Sequence, residues 1–478
     1  MQLSTRQLVL PLAVLALGST ARAQATFLQL PFNDTYISAM SPDGTWFTGG
    51  SLLGGANFRF STATGFEAFA SGTSGLPDIA VGGSPVAATL LDANGDEYAG
   101  LWTPSSQTLL PGLGGQSGNS VSSAYAASDD GSTVVGLAWI SGGKAHAFKW
   151  SQATGTVDLG SLSGQSSRAN GVSADGKVVV GWDEDPTGPR RPAYWDASGA
   201  HLLGVIGEAW DATPDGSVIV GDDNGNCFRW TVGGAAQDLG KLRGSDPIFD
   251  VASGQAISAD GKTIVGYNGN SFFGTPQRAF IWREGAGMTD LRELLIAYGV
   301  NGLGSVALSD ASAVSADGNT IAGTSGSFFT ATGFVATLPA VATVYCTSQV
   351  NSAGCTPAIG FDGTPSARTG AGFHVTASNV LSNVNGLLFY GKTGSVSVPF
   401  QGGTLCVAAP VTRTPVQNSG GSGACGGTFD LDFNAFAKSA GGLGLDGGVQ
   451  VWAQYWSRDL ASPGRTNLTN ALRFTLWP

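Results

Sequence analysis

Apolar residues in this chain come in short, β-branched or aromatic runs that end at Gly or Asp-Gly, not at helical spacing. One run repeats. Val172-Ser-Ala-Asp-Gly176 leads into Lys-Val-Val-Val-Gly, Ile257-Ser-Ala-Asp-Gly261 into Lys-Thr-Ile-Val-Gly, and Val314-Ser-Ala-Asp-Gly318 into Asn-Thr-Ile-Ala-Gly. Weaker copies begin at Met40, Ala127 and Ala212, and a seventh, at 81–88, has lost its Asp-Gly. A second phrase with an aromatic pair follows each copy. It ends at Phe60, Trp102, Trp150, Trp195, Trp230, Trp282 and, in faded form, Ala336, at intervals of 35 to 54 residues. A third phrase, Asp-Leu-Gly, closes two of the units, at 155–160 and 234–240.

Each unit reads as four short strands. The first ends at a tight Asp-Gly turn, where Gly supplies a positive φ and Asp bonds its own backbone. The second is apolar on both faces and therefore buried. The third carries the aromatic pair and the fourth the Asp-Leu-Gly phrase. Four strands in about 40–45 residues is the period of a propeller blade. The expected fold is all-β: a seven-bladed β-propeller over 24–340, followed by a disulfide-containing β-sandwich over 341–478. The seventh unit lacks a fourth strand, and an orphan run at 27–32 stands ready to supply it and latch the ring. An open solenoid is the alternative. One helix is expected, capped by Asp290, with Leu291, Leu294 and Leu295 apolar and Gly299 as its stop.

Beyond 338–343 the repeats vanish and four cysteines appear. Runs at 372–380, 386–391, 394–400, 403–410, 427–436, 449–456 and 471–478 alternate as sandwich strands do. Cys346, Cys355, Cys406 and Cys425 are expected to form two disulfides, paired with their sequence neighbours as Cys346–Cys355 and Cys406–Cys425. Cys227 stands where other units have Ala and is expected as a buried free thiol.

Arg6, an apolar stretch at 8–17 and Ala21-Arg22-Ala23 have the layout of a secretory signal peptide over 1–23. Export agrees with the cysteines. No later apolar run approaches the ~18 residues of a membrane span. The 73 Gly and 21 Pro make up about a fifth of the 478 residues, and only 12% are charged. That composition argues against a helix-rich protein, and a hydrophobic content of 42% argues against disorder. A net charge of −11 argues against nucleic acid as partner.

The three phrases in fixed order, including His146-Ala147-Phe148, Trp150 and Asp158-Leu159-Gly160, resemble the HAF repeats of bacterial extracellular proteins over about 37–338. The Ser-Pro-Asp-Gly of the first unit is also similar to TolB-type propeller repeats. The segment from Tyr345-Cys346-Thr347 through Thr404-Leu405-Cys406 to Arg458-Asp459 resembles a C-terminal module shared by many bacterial secreted proteins. The first resemblance implies secretion and supplies no catalytic residues. The resemblance of the C-terminal segment implies sorting, surface attachment or generic binding.

Chemistry-bearing residues are few. His146, His201 and His374 are the only histidines, and no catalytic residue is assigned. Recurrence makes the Asp-Gly carboxylates turn formers. Asp92, Asn94 and Asp96 place oxygens at alternate residues, as a calcium loop does, against the alternative of a plain turn. No other cofactor is expected. Loops between second and third strands carry Trp139 and Trp182 with Arg190 and Arg191. Further along they carry Phe272, Phe273, Phe328 and Phe329. Gathered at one mouth of a propeller, these would stack on an extracellular glycan or grip a peptide, against the alternative of packing between loops. The leading expectation is a secreted or cell-surface binding protein without catalysis. A polysaccharide hydrolase or lyase using carboxylates such as Asp183 and Asp185 is the second, and a structural envelope or matrix protein the third.

Overall fold

The computed structural model describes residues 25–52, 54, 56–270, 274–327, 330–439, 441 and 443–478. The expected signal peptide lies outside them, as do Phe272, Phe273, Phe328 and Phe329. The fold is all-β. Among the described residues, seven four-stranded antiparallel sheets fill the chain from Thr26 to Thr337. Six are built from consecutive strands. The seventh combines Leu308–Val314, Thr320–Ser325 and Thr332–Thr337 with Thr26–Gln29 from the beginning of the chain. That added strand pairs in the register Phe27↔Ala336 and Leu28↔Val335, and Phe27 stacks on Phe334. It is the orphan run at 27–32, shifted by one residue and shortened.

The repeated Ser/Thr-x-Asp-Gly phrase closes six of the seven first turns by one hydrogen-bond scheme. At Ser173, the hydroxyl donates to Asp175 Oδ1 at 2.9 Å and accepts from the Val178 N–H at 3.0 Å. Asp175 Oδ1 also accepts from the Lys177 N–H at 3.1 Å. Gly176 follows at φ +70°, with Thr133 of the preceding sheet only 2.4 Å from where a Cβ would stand. Ser41, Ser128, Thr213, Ser258 and Ser315 repeat the hydroxyl-to-carboxylate bond. The motif is therefore a turn, and one polar pair satisfies donors that the tight reversal would orphan.

The Gly inside the second strand has a different cause. A Cβ on Gly181 would lie 1.9 Å from the Arg168 carbonyl oxygen. The first strand is bulged there, between Ala169 and Gly171, and the bulge pushes its backbone against the neighbour. Equivalent bulges occur in the first strands of all the seven sheets except the second, whose first strand is only Asp78–Ile79.

Adjacent sheets share cores. Trp150 and Phe148 of the third sheet pack with Ala87, Ala99 and Leu110 of the second. Leu30, Ile37, Phe47 and Phe58 pack with Ala313, Ala322 and Val335, so the first sheet meets the seventh. Ala316 N–H donates across that same junction to the Pro42 carbonyl at 2.8 Å. Leu291–Ala297 is the expected helix, and Asp290 accepts from the Arg292 and Glu293 N–H groups.

In the C-terminal part, a sheet ordered from Ala342–Tyr345 through Thr466–Thr475 and Gln450–Arg458 to Asn385–Gly391 faces a second sheet. That second sheet is Ala358–Gly363, Phe373–Val380 and Gly427–Asp432. Phe373, Val375, Tyr390, Phe429, Tyr455 and Phe474 fill one core between them. The run at 427–436 is not all strand. Asp432 accepts from the Ala435 N–H and starts the helix Phe433–Ser439, whose Phe433 turns into that core.

The disulfide pairing differs from the sequence-neighbour expectation. The bonds are Cys346–Cys406 and Cys355–Cys425, spanning 60 and 70 residues and crossing each other in sequence. The strands between the cysteines carry sequence neighbours apart and bring distant ones together. Cys227 is buried and free.

The chain end docks on the repeat region. The Trp477 indole donates to Thr289 Oγ1 at 2.9 Å, lies under the Arg283 guanidinium at 5.0 Å and meets Tyr298 edge-on. Among the described residues no helix is long and apolar enough to cross a membrane.

Candidate functional site

The bulges decide where chemistry can occur. The extra residue in each first strand has no partner opposite it, so its side chain turns out of the sheet. These residues are Ser38, Tyr125, Asn170, Trp210, Gln255 and Ser312, with Pro77 in the corresponding place of the second sheet. All seven line one cavity of about 1340 Å³ enclosed by the first strands. Each sits three residues before the Ser, Thr or Ala that opens its turn. Neighbouring positions are mostly Ala, Gly or Val, and this one is different in nearly every unit. That contrast was present in the sequence. It went unread because the bulge, not the alternation of the strand, sets the direction of the side chain.

Several wall residues also staple neighbouring sheets. The Ser38 hydroxyl donates to the Pro77 carbonyl at 2.6 Å, and Asn170 Nδ2 donates to the Ala209 carbonyl at 2.8 Å. Asp78 accepts from the Ala127 N–H at 2.8 Å, and Asp211 from the Ile257 N–H at 2.9 Å. One end of the cavity is narrowed by the turns, whose backbones bond around the ring: Ala174 N–H to Pro214, Ala259 N–H to Ala316, and Ala316 N–H to Pro42.

Four carboxyl groups line this cavity, those of Asp78, Asp129, Asp211 and Asp310, and among the described residues no Lys, Arg or His does. Burial pushes Asp78 up to about 6, and Asp211 and Asp310 up to about 7. Asp78 and Asp129 add repulsion at Asp211. A raised carboxyl favours the protonated folded state, so its ionisation subtracts stability as pH rises from about 4 towards 7. The turn carboxylates act in the opposite sense. The Ser132 N–H holds Asp130 low and the Thr213 hydroxyl holds Asp215 low, and their contribution is lost only as pH falls below about 4. The melting temperature is therefore expected to peak between about pH 4 and 6 and to decline towards pH 8. In the Asp211→Asn, Asp310→Asn double variant that decline should flatten. A wild-type melt that rises steadily from pH 5 to 8 would contradict the assignment.

The residues singled out from sequence lie elsewhere. Trp182 is buried, not exposed at a mouth. Its ring is stacked between the guanidiniums of Arg190 at 4.3 Å and Arg168 at 5.4 Å. Arg168 donates to Asn170 Oδ1 and Glu208 Oε2, and Arg190 pairs with Glu208 as well. Trp182 is thus a packing centre, because the strand alternation points it between the sheets. Arg191 pairs with Asp185. Trp139 is half-buried at a strand end, opposite Ala145. None of these four lines the cavity.

The two carboxylates proposed for hydrolysis are also committed. Asp183 is buried and accepts from the Leu162 and Ser163 N–H groups, while Asp185 is held by Arg191 and Thr187. In the proposed calcium loop, Asp92 Oδ1 accepts from the Asn94 and Asp96 N–H groups, and Asp96 accepts from Gln116. That is the bonding of a turn, and no group of three or more acidic, His or Cys ligands suited to a metal occurs among the described residues. Each histidine has a carboxylate partner: Asp158 for His146, Asp196 for His201 and Asp430 for His374.

No protein-family model matches this chain, and no curated protein matches it. Among solved structures, it is similar to a hydrazine synthase of Kuenenia stuttgartiensis at 15% identity and TM-score 0.38, covering 62% of this chain and 94% of that one. It is also similar to TolB from Acinetobacter baumannii, at 14% identity and TM-score 0.34, covering 63% and 79%. A third similarity is to the Cps50 (Swd1) β-propeller domain of Myceliophteria thermophila, at 11% and 0.39, covering 65% and 99%.

Proposed function

We propose that this chain is an exported binding protein without catalytic activity: a seven-bladed β-propeller that holds its ligand in the central cavity, followed by a disulfide-braced β-sandwich that attaches or sorts it. The observation that carries this reading is the ring of bulged residues. Six bulged positions, with Pro77 in the corresponding place of the second sheet, present Ser, Pro, Tyr, Asn, Trp, Gln and Ser to one cavity. A ring needed only for closure would do as well with one small residue throughout. Hydroxyl, amide and aromatic groups converging on a concave site are what an asymmetric polar ligand such as a glycan or an extended peptide requires. Two disulfides support export.

The test is a glycan and peptide array probed with the full chain. The expected result is retention of one ligand class, weakened at least about tenfold by Trp210→Ala. Equal retention by that variant would contradict the cavity as the site. A second reading, polysaccharide hydrolysis, is favoured by one observation: Asp211 and Asp310 are cavity carboxyls raised to about 7, as general acids are. A depolymerisation screen separates the two, since cleavage lost in Asp310→Asn would establish the enzyme.

A further inference from the structure

The cavity wall has an unbalanced charge. Four aspartates line a cavity to which the described residues contribute no cation. The nearest guanidiniums, Arg168 and Arg190 of the fourth sheet, lie outside the cavity lining, and both are tied to Glu208. Asp211 and Asp78 at least accept backbone N–H bonds. Asp310 is less satisfied. It lines the cavity, the Ala311 N–H is the backbone donor that favours its charged form, and its Oδ1, shielded from solvent, makes no hydrogen bond among the described residues. A buried carboxylate oxygen without a donor is costly unless a ligand or a proton supplies one.

Resting on the binding reading above, we propose that the ligand carries a protonated amine and that Asp310 receives it, with Asp78, Asp129 and Asp211 supplying the surrounding negative field. An ammonium group offers three donors and no acceptor, which suits a wall whose charged groups are all carboxylates. Its charge also lowers the cost of ionising neighbouring carboxyls. The Gln255 amide oxygen and the rings of Tyr125 and Trp210 remain for the uncharged part of the ligand.

Three probes distinguish the sources of such an amine: spermidine, a glucosamine tetramer and the fully N-acetylated tetramer, which has the same sugar scaffold without charge. Titration calorimetry with the full chain should show the glucosamine tetramer binding at least about tenfold more tightly than its acetylated counterpart. Asp310→Asn should remove most of that difference without lowering the melting temperature. If the two tetramers bind equally, the amine proposal is overturned and the glycan reading stands. If spermidine alone binds, the glycan reading falls and the amine proposal stands. If none binds, the amine proposal is overturned.

The wild-type protein provides a check that needs no variant. Spermidine affinity should fall between pH 8 and pH 5, because Asp211 and Asp310 must give up protons to pair with it. The titratable groups sharing their wall are Tyr36, Tyr125, Asp78 and Asp129, and Tyr267 feels the charge of Asp310 from the sixth sheet. An affinity unchanged or increased on acidification would overturn the proposal.

Discussion

Deleting residues 25–32 is expected to lower the stability of the repeat region by about 5 kcal/mol or more. Leu30 is 3% exposed, and full burial of such a side chain is worth roughly 2–3 kcal/mol. Phe27 adds its stack on Phe334, and ladder bonds along Thr26–Gln29 add about 1 kcal/mol each. The deletion also exposes the strand Thr332–Thr337, whose pairing groups become an open edge. The measurable result is a lower melting temperature with aggregation at concentrations where the intact chain stays monodisperse. A deletion variant that melts with the parent would show that the terminal strand latches nothing. The closure bond from Ala316 to Pro42 would then be carrying the junction.

The second large effect belongs to the crossed disulfides. Non-reducing peptide mapping is expected to recover Cys346 with Cys406 and Cys355 with Cys425, and Cys227 as a free thiol. Loops of 60 and 70 residues are long, and in the chain-entropy account each closure is worth about 4 kcal/mol. Reduction should therefore melt the C-terminal core around Phe373 and Phe474 well below the repeat region, giving two transitions where the oxidised chain gives one. The coupling through Trp477 to Thr289 and Arg283 predicts that the lower transition also loosens the sixth and seventh sheets. A single unshifted transition after complete reduction would contradict this account. Recovery of the sequence-neighbour pairs would contradict the crossed connectivity.

Much of the fold was legible because its determinants are local. A Ser-x-Asp-Gly turn is closed by bonds that span no more than five residues, so each copy announces itself in sequence. The apolar second strands and the aromatic third strands likewise carry their burial in their composition. The capped helix at Asp290 was legible for the same reason. Even the latch could be read, since a unit short of one strand and a spare strand at the other end leave one economical solution.

The candidate site was not legible from the same signals, and the reason is geometric. Trp182 and Arg190 looked like exposed mouth residues because Trp and Arg in a loop-proximal run suggest a surface. Only the packed sheets show that the ring is buried between two guanidiniums bound to Glu208. Asp78, Asp211 and Asp310 had no motif to mark them. Their raised pKa values exist because seven first strands from positions as far apart as 35 and 314 enclose one space. The crossed disulfides follow the same logic: which thiols meet depends on how strands order themselves between two sheets, not on their spacing. Sequence alone determined the units, their turns and the missing strand, through interactions within a few residues. Tertiary structure decided which side chains share the cavity, which carboxyls lack a counter-ion and which cysteines pair, because those depend on contacts between residues that sequence keeps far apart.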